Sequence, residues 1–389
     1  MFKSCQEAIT YIEAKRNRRT FIEFQKTIKK YDIPTVLPYT IHIAGTNGKG
    51  STVQYIKEIL MSHGYRVGTF TSPYMIVHND RICINGEPIP DRLLLSYINQ
   101  LYSIIEEENL SMFEIDVIIM LLYFHQQPLD FCIIETGIGG KEDKTNVITS
   151  QISAITNVGF DHQDLLGSTL DKIALHKSGI IKQNQKFFTG ETKFELLEIF
   201  SQICKQNNTQ MYVVEKEQGY QFTYNNITYV LPPVGSYQVY NAKLAVAITS
   251  SCITLEKDKT QLAITNFDYP GRFEKIGNVY LDGAHNIEGM EALVDTIQRL
   301  SIKDVCIIFS ILEGKNREAM LKILSKYPVI CASFDDDRQT TSDTNYKEVL
   351  HKLEDQYSTI IVTGSLHFVS DVRKYLLRGN DKWKKSIIY

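Results

Sequence analysis

The sequence is poor in several residue types and patterns that mark specialised proteins. Its 389 residues include one tryptophan, ten prolines and seven cysteines, and no two cysteines are spaced as CxxC. This pattern gives no support for a disulfide framework or a zinc site, and is typical of small buried side chains in a reducing compartment. The 42 lysines and arginines nearly balance the 45 aspartates and glutamates, so no global positive field attracts nucleic acid or an anionic membrane.

Long hydrophobic runs are also missing. The longest, residues 117–124, is too short to cross a bilayer, and the first 13 residues contain acids and no uninterrupted apolar core. We therefore expect a cytoplasmic protein without a secretory signal or a membrane partner. One local basic cluster leaves two interpretations open, a solvated surface or a contact for an anionic substrate. Its members are Lys15, Arg16, Arg18 and Arg19.

Short β-branched runs alternate with longer amphipathic ones along the chain. The predicted strands are residues 40–44, 66–69, 131–135, 152–157, 186–188, 279–282, 305–309, 329–331 and 359–363. The predicted helices are residues 53–63, 92–107, 170–180, 241–251, 289–300, 317–326 and 343–357. Several strands are almost continuously apolar, so the alternation predicts an α/β fold with a covered parallel sheet.

Two turn signals divide the chain further. Residues 219–233 alternate aromatic and β-branched side chains around Asn225-Asn226, which predicts a small β-hairpin. Pro270-Gly271 marks a turn or linker, after which a new strand–helix series begins. We therefore predict an N-terminal domain over residues 1–267 and a C-terminal domain over residues 271–389, which is a normal domain size.

A glycine-rich segment follows the first predicted strand and precedes a helix. Its residues are Gly45, Thr46, Asn47, Gly48, Lys49, Gly50 and Ser51. Glycines let backbone amides surround phosphate oxygens, Lys49 can reach the terminal phosphates, and the Ser51 hydroxyl can bind Mg²⁺. The standard Walker pattern fails at two positions, because Ile43 replaces its first glycine and Gly50 follows the lysine. The segment therefore predicts nucleotide binding by a variant phosphate loop.

This loop resembles the phosphate loop of folylpolyglutamate synthases and dihydrofolate synthases, which belong to the Mur ligase superfamily of ATP-dependent amide ligases. Other motifs of that family follow in order at residues 71–73, 79–86, 135–140, 145–146, 156–157, 159–162, 177–182, 270–272, 282–286 and 363–365. The resemblance implies an N-terminal ATP-binding domain that also binds folate. It further implies a smaller, Rossmann-like C-terminal domain that closes over ATP and binds glutamate.

Three residues of the predicted metal site are ambiguous when taken alone. Glu135 ends an apolar strand and can be a ligand or a loop cap. A lone histidine after a strand, such as His162, is more often a structural or surface residue than a metal ligand. Without other information, Lys177 would be assigned to the surface, because lysine is rarely buried. The resemblance implies that Glu135 and His162 bind Mg²⁺, and Ser51 and Ser72 are further candidate ligands. It also implies that CO₂ carbamylates Lys177 into a further ligand, giving two Mg²⁺ sites.

The far end of the nucleotide involves residues on both sides of the predicted linker. Asn241 opens a predicted helix, and its amide can pair with the edge of adenine or cap the helix. Arg272 directly follows the linker, where a cation can clamp the phosphates. The resemblance implies that Asn241 contacts the base and that Asp282 and His285 contact the nucleotide.

A separate group of residues is expected to face the acceptor. Its members are Thr71, Ser72, Pro73, Arg81, Phe113 and Glu114. Ser72 can be a metal ligand or a turn serine, Arg81 can bind a carboxylate or brace a loop, and Phe113 can be core. The resemblance implies that Phe113 packs on the pterin and that Glu114 hydrogen-bonds it.

The sequence departs from the family on this acceptor side. Tyr74 follows Thr-Ser-Pro, where the family usually has histidine. Thr20 and Glu23 stand where glycine and arginine are common, and residues 141–144 read Lys-Glu-Asp-Lys. ATP-dependent ligation is therefore better supported than the identity of the acceptor.

The resemblance implies an ATP- and Mg²⁺-dependent ligase of folate and one-carbon metabolism, with the following course of reaction. ATP phosphorylates a carboxylate, the amine of L-glutamate attacks the acyl phosphate, and phosphate leaves. The predicted catalytic residues are Lys49, Glu135, His162, Lys177 and Arg272. We expect a monomer that elongates the glutamate chain of tetrahydrofolate. Dihydropteroate, or both acceptors, is the alternative.

Two other classes of protein remain open on the sequence. A P-loop NTPase switch or phosphotransferase would use its second domain to bind a partner, and would hydrolyse ATP slowly without responding to glutamate. A non-catalytic nucleotide-binding module would keep its function when Lys49 is replaced by alanine.

Overall fold

The computed structural model describes residues 1–336, 338–339, 342 and 344–379, and it divides into two compact units. The first unit comprises residues 1–216, 223–227 and 240–264. The second comprises residues 217–222, 228–239 and the described residues between 265 and 379. The second unit thus includes residues 217–222, 228–239 and 265–267, which lie within the predicted N-terminal domain.

The first unit is built on a mixed, mostly parallel sheet. Its strands in chain order are β1 (Tyr39–Ala44), β2 (Val67–Phe70), β3 (Ile82–Ile84), β4 (Glu87–Pro88), β5 (Phe131–Glu135), β6 (Ile152–Ile155), β7 (Lys186–Thr189) and β8 (Gln210–Val213). Across the sheet they are ordered β4-β3-β2-β5-β1-β6-β7-β8, and the antiparallel pairs are β2–β3 and β3–β4. Both faces of β5 and β6 are buried, which explains their unbroken apolar sequences.

The helices that precede or cover this sheet follow the predicted amphipathic pattern in part. They are α1 (Cys5–Glu13), α2 (Phe21–Lys30), α3 (Lys49–Ser62), α4 (Asp91–Glu107), α5 (Met112–His125), α6 (Gln163–Leu166), α7 (Leu170–Lys177), α8 (Phe194–Gln206), α9 (Gln238–Ser250) and α10 (Lys257–Thr265). Helix α5 is apolar all round because it is buried on almost every side. Thr20 and Glu23 form the capping box that starts α2.

The hairpin predicted around Asn225-Asn226 is present. Its strands are β9 (Gln221–Tyr224) and β10 (Ile227–Val230). Asn225 and Asn226 have φ angles of 49° and 62°. A type I′ hairpin turn needs positive φ angles at both central residues, which asparagine tolerates better than most residues.

The second unit contains its own five-stranded sheet. Its strands are β11 (Arg272–Ile276), β12 (Val279–Asp282), β13 (Val305–Phe309), β14 (Val329–Cys331) and β15 (Thr359–Thr363), ordered β11-β12-β15-β13-β14. Its helices are α11 (Ile287–Arg299), α12 (Arg317–Leu324), α13 (Tyr346–Leu353) and α14 (Leu366–Gly379). Only β11 runs antiparallel. The predicted α/β class with two sheet-based domains is confirmed.

The strands that sequence patterning missed are short or lie at sheet edges. They are β3, β4, β8 and β11, and most have an exposed or half-exposed side. Such strands bury few residues, so they carry little hydrophobic pattern. No helix in the part of the chain that the structure describes is both long and apolar enough to span a bilayer.

Candidate functional site

The phosphate loop lies at the carboxyl end of the central strand β1 and leads directly into α3. Gly48 precedes α3 with a φ of 83°. The backbone amide of Asn47 donates to the side-chain oxygen of Asn157 at 2.9 Å, and Thr46 donates to the Asn157 carbonyl at 3.1 Å. These bonds hold the loop against the segment that follows β6, so that the start of α3 can receive an anion.

Two glycines of the loop have no room for a side chain. A Cβ atom on Gly45 would lie 1.9 Å from Thr156 Oγ1, and one on Gly48 would lie 2.3 Å from Asn241 Oδ1. The amide of Asn241 therefore lies against the phosphate loop. Helix α9 begins at Gln238, so Asn241 falls within its first turn, and the helix-cap interpretation of Asn241 is wrong.

Glu135 brings two predicted site residues together. It ends β5, where Ile43 of β1 is its register partner, and it is only 3% exposed. The Lys49 ammonium lies 4.0 Å from Glu135 Oε1, and the backbone amide of Ser72 donates to Oε2 at 3.2 Å. A carboxylate, a lysine and a serine from three separate motifs thus meet at the carboxyl edge of the sheet.

Lys177 is buried rather than displayed on the surface, so the surface-lysine interpretation is wrong. Its Nζ donates to the carbonyl of Gly45 at 2.9 Å, which places the amine against the phosphate loop. Burial, reinforced by the positive charge of Lys49, lowers the pKa of Lys177 to about 7. An amine with such a pKa is largely neutral in mildly alkaline solution and can act as a nucleophile.

His162 has surroundings different from those of Glu135 and Lys177. It caps α6 with a φ of 48°, and its Nε2 is 3.9 Å from Asp161 Oδ2. Its side chain is 40% exposed, unlike that of Glu135. Among the described residues, no three or more His, Cys, Asp or Glu side chains lie close enough to hold a metal ion.

The donors around the loop nevertheless suit a magnesium ion. Ser51 is 2% exposed and lies in the first turn of α3, and Glu135 supplies a carboxylate at the adjacent strand end. Mg²⁺ prefers oxygen ligands and retains several waters, so it needs few protein donors. A site of hydroxyl and carboxylate oxygens beside the phosphates therefore fits the ion.

Arg81 is attached to the same region by its backbone. Its carbonyl accepts a hydrogen bond from the amide of Thr71 at 2.9 Å. Its Nε lies 3.5 Å from Asp116 Oδ2, and its guanidinium carbon is 5.4 Å from the centre of the Tyr74 ring. A backbone hydrogen bond therefore holds the predicted acceptor residues 71–73 next to Arg81.

Phe113 and Glu114 begin α5 but have different surroundings. A Cβ atom on Gly137 would lie 2.7 Å from Phe113 Cζ, so that ring packs on the loop after β5. Glu114 is fully buried, and its Oε2 accepts hydrogen bonds from Ser111 in a capping box. The other oxygen, Oε1, lies 3.4 Å from the Lys144 ammonium.

The basic cluster near the N-terminus separates into paired and exposed members. Arg19 lies 3.5 Å from Glu114 and 3.3 Å from Glu108, and Lys15 pairs with Glu106. Arg16 and Arg18 are exposed. Most of the cluster thus braces helices or faces solvent.

Sequence patterning missed Asp143, a buried carboxylate beside Phe113. Its oxygens accept from the backbone amides of Ile138 at 2.9 Å and Thr145 at 3.0 Å. Burial raises its pKa. The signal available in the sequence was its place in the loop after Gly140, but an aspartate in a glycine-rich loop also suits an ordinary turn.

The second unit gathers its own predicted residues at the carboxyl end of β12. Arg272 of β11 and Asp282 of β12 are register partners. Asp282 is buried, and burial raises its pKa while the charge of Arg272 opposes that rise. His285 follows three residues later, and its Nδ1 lies 2.8 Å from the carbonyl oxygen of Gly283.

Tyr237 is a second residue that patterning missed. Its hydroxyl donates to Asp282 Oδ2 at 2.6 Å, and the amide of Ala284 donates to Oδ1 at 2.9 Å. Both oxygens of Asp282 are thus held in place. Nothing in the sequence around Tyr237 pointed to this contact, because the two residues are far apart along the chain.

Comparison with known proteins agrees with this geometry. Residues 43–249 match the Mur ligase middle domain. The dihydrofolate synthase/folylpolyglutamate synthase of Bacillus subtilis (strain 168) is 33% identical over 387 residues, covering 86% of this chain and 90% of that protein. The apo form of L. casei FPGS is 29% identical and superposes with a TM-score of 0.84, covering 96% of this chain and all of the other.

A more distant solved structure, E. coli FolC in complex with DHPP and ADP, has the same fold. It is 23% identical, with a TM-score of 0.86 over 96% of this chain and 98% of that one. The family model spans more than half of the chain, and the Bacillus relative is matched over nearly its full length. The chain therefore belongs to the dihydrofolate synthase/folylpolyglutamate synthase family, ATP-dependent ligases of the Mur ligase superfamily, as its motifs predicted.

Proposed function

We propose that this chain joins L-glutamate to the carboxylate of a folate, with tetrahydrofolate as its main acceptor. The observation that carries the proposal is the meeting of Lys49, Glu135 and Lys177 around one phosphate loop. This arrangement combines a phosphate cradle, a metal-binding carboxylate and a buried amine. Family membership supplies the reaction class, the formation of an amide bond at the expense of ATP.

The chemistry follows from the weakness of a carboxylate as an electrophile. Transfer of the γ-phosphoryl group of ATP to the acceptor carboxylate gives an acyl phosphate, from which phosphate is a good leaving group. The backbone amides at the start of α3 and the Lys49 ammonium bind and orient the phosphates. The amine of L-glutamate then attacks the acyl carbon, and no side chain of the protein needs to become a covalent nucleophile.

A divalent ion would be held by the oxygens of Glu135, Ser51 and Ser72. When bound, it supplies positive charge that offsets the charge developing on the transferred phosphoryl group. We propose that Lys177, after carbamylation by CO₂, and His162 complete a second site. The support for Lys177 is its buried, partly neutral amine on the loop, because CO₂ reacts only with a neutral amine.

The remaining predicted residues have proposed roles at the two ends of the substrates. Asn241, which lies against Gly48, is proposed to contact adenine. Arg272, Asp282 and His285 form one group in the second unit and are proposed to bind nucleotide there. Arg81 is proposed to bind the acceptor. Monomeric state and a cytoplasmic location stay predictions.

On the acceptor side, we propose that Phe113 packs on the pterin ring. Its ring already covers the glycine loop after β5, next to Asp143. Glu114 would act through Lys144 and Arg19, since its own oxygens are bonded within the protein. Dihydropteroate is the second candidate acceptor, because the Bacillus relative carries both activities in its name.

The decisive experiment measures ADP release by the purified full chain with Mg-ATP and L-glutamate. Tetrahydrofolate and dihydropteroate are supplied in separate reactions, and we expect glutamate-dependent release with tetrahydrofolate. Release with dihydropteroate as well would show a bifunctional enzyme. Slow ATP hydrolysis that ignores glutamate would instead indicate a switch or phosphotransferase.

A lysine variant tests whether the loop is catalytic. Lys49→Ala should lower glutamate-dependent turnover at least about a hundredfold, because one preorganised charge contributes roughly 3 kcal/mol to the transition state. Lys205→Ala, which removes an exposed lysine of α8, is the matched control and should turn over normally. Full activity of Lys49→Ala would favour a non-catalytic nucleotide-binding module.

A further inference from the structure

A cluster of alternating charges, buried except at Glu13, surrounds Arg81. The imidazole of His78 lies between two carboxylates, with Nδ1 3.0 Å from Glu13 Oε1 and Nε2 2.8 Å from Asp116 Oδ1. His78, Arg81 and Asp116 are all buried. The cluster draws on α1 for Glu13, on α5 for Asp116, and on the short 3-10 helix His78–Arg81 for both cations.

The hydrogen bonds indicate that His78 is charged. An ionised carboxylate can only accept hydrogen bonds, so both ring nitrogens of His78 must donate, which requires the imidazolium form. Although burial works against the charge, Asp116 and the hydrogen bonds to Asp116 and Glu13 raise the pKa of His78 to about 9. Arg81, the other nearby cation, also works against the charge without preventing it.

Arg81 is held close to Asp116 without a full hydrogen bond. Asp116 Oδ2 and Arg81 Nε are both buried and lack hydrogen-bond partners, although only 3.5 Å separates them. Within the described residues, no hydrogen bond occupies the two terminal nitrogens of Arg81. His78 takes the other oxygen of Asp116. The two terminal nitrogens of the guanidinium are therefore available to bind a carboxylate ligand in bidentate fashion.

We propose that His78 is a positioning residue that keeps Arg81 available for the carboxylate of the acceptor by engaging Asp116. The inference rests on the proposed function, because Arg81 must bind the acceptor for His78 to act through it. Without the imidazolium, Asp116 would be a buried carboxylate with one remaining cation, and burial of an unpaired charge is costly. Asp116 would then accept hydrogen bonds directly from the Arg81 guanidinium. The N–H groups of Arg81 would point toward Asp116 and would no longer be available to the acceptor.

The same cluster also fixes the segment that reaches Glu135. Tyr74 donates to Glu13 Oε1 at 2.9 Å, and Thr71 donates to the carbonyl of Arg81. Ser72 lies between these anchored residues and donates to Glu135. Tyr74 stands at the position where the sequence departs from the family, so its bond to Glu13 is part of the chain's own arrangement.

The test compares His78→Phe with the wild type by equilibrium binding and by kinetics. Loss of the hydrogen bonds from the charged imidazole to Glu13 and Asp116 should raise the Kd and KM for tetrahydrofolate about tenfold. The KM values for ATP and glutamate should stay unchanged. The wild-type kcat/KM for the acceptor should fall as pH rises through about 9, and this fall should be absent in His78→Phe. His125→Phe, at the exposed end of α5, is the matched control and should behave as wild type.

A double variant separates positioning from simple structural damage. In His78→Phe/Asp116→Asn the competing carboxylate is gone, so acceptor binding should return to within about threefold of Asp116→Asn alone. Additive loss in the double variant, or an unchanged Kd in His78→Phe, would overturn the inference. If the wild type binds tetrahydrofolate but forms no product, the proposed function fails while the binding comparison still decides the role of His78. If it binds neither tetrahydrofolate nor dihydropteroate, both proposals fall.

Discussion

At the scale of single residues, Lys177 shows how a site can lower the stability of the protein that contains it. The amine is buried and donates a hydrogen bond to the carbonyl of Gly45. Burial of the charged form is unfavourable, which is why the pKa falls from 10.5 to about 7. Residues kept for chemistry commonly have this kind of stability cost.

We therefore expect Lys177→Met to be inactive but more stable than the wild type. The gain in the free energy of unfolding at pH 7 should be roughly 1–3 kcal/mol, measured by urea denaturation. The unfolded chain binds the extra proton up to pH 10.5, so this gain should shrink as the pH approaches that value. Lys172→Met, an exposed change in the same helix, should affect neither property, and a destabilised Lys177→Met would contradict the account.

At the scale of elements, α3 lies between two glycines that have the same backbone conformation and different surroundings. Gly48 precedes the helix with a φ of 83°, and Gly64 follows it with a φ of 88°. A Cβ atom on Gly48 would lie 2.3 Å from Asn241, whereas one on Gly64 would meet nothing within 4 Å. Of these two glycines, only Gly48 lies in close contact with a side chain of α9.

This contrast predicts different effects for the same substitution. Gly64→Ala should cost about 1 kcal/mol of stability, from its left-handed backbone alone, and leave ATP binding unchanged. Gly48→Ala should have that cost and also displace Asn241, so we expect the Kd for ATP to rise about tenfold or more. Calorimetric titration with ATP measures both variants. Equal ATP affinities would show that the contact between loop and helix does not matter.

At the scale of the whole molecule, buried titratable groups give stability a pH dependence of mixed sign. The raised pKa of His78 stabilises the folded state below pH 6.5, and this contribution is lost as the pH rises to about 9. The lowered pKa values of Lys177, about 7, and Lys182, about 8, have the opposite effect, because their cost disappears as the pH rises. The dependence of the free energy of unfolding on pH is the sum of these contributions.

Comparison of two proteins isolates one of these contributions. Between pH 6 and pH 9.5 the wild type should lose on the order of 3 kcal/mol relative to His78→Phe, which follows from the displaced pKa of His78. Denaturant unfolding at several pH values gives the difference directly, and the lysine contributions cancel because both proteins share them. Parallel curves would mean that folding leaves the pKa of His78 unchanged.

Much of the architecture could be predicted from local patterns. The bounds of β5, β12, β13 and β15 match the predicted strands residue for residue, because an apolar run buried on both faces is visible without tertiary information. Edge strands such as β4 and β8 were missed, since they bury little. The hairpin turn was found because Asn225-Asn226 is specific to one geometry.

The family, the reaction class and the phosphate loop could be recognised from the amino-acid sequence, since these depend on residue types at short, fixed spacings. Tertiary structure alone decided which distant residues meet. It placed Lys177 on the loop, Asn241 against Gly48, and His78 between Glu13 and Asp116. Local patterns show which side chains exist and what each can do. Burial and charge pairing depend on the neighbours that only the folded chain provides.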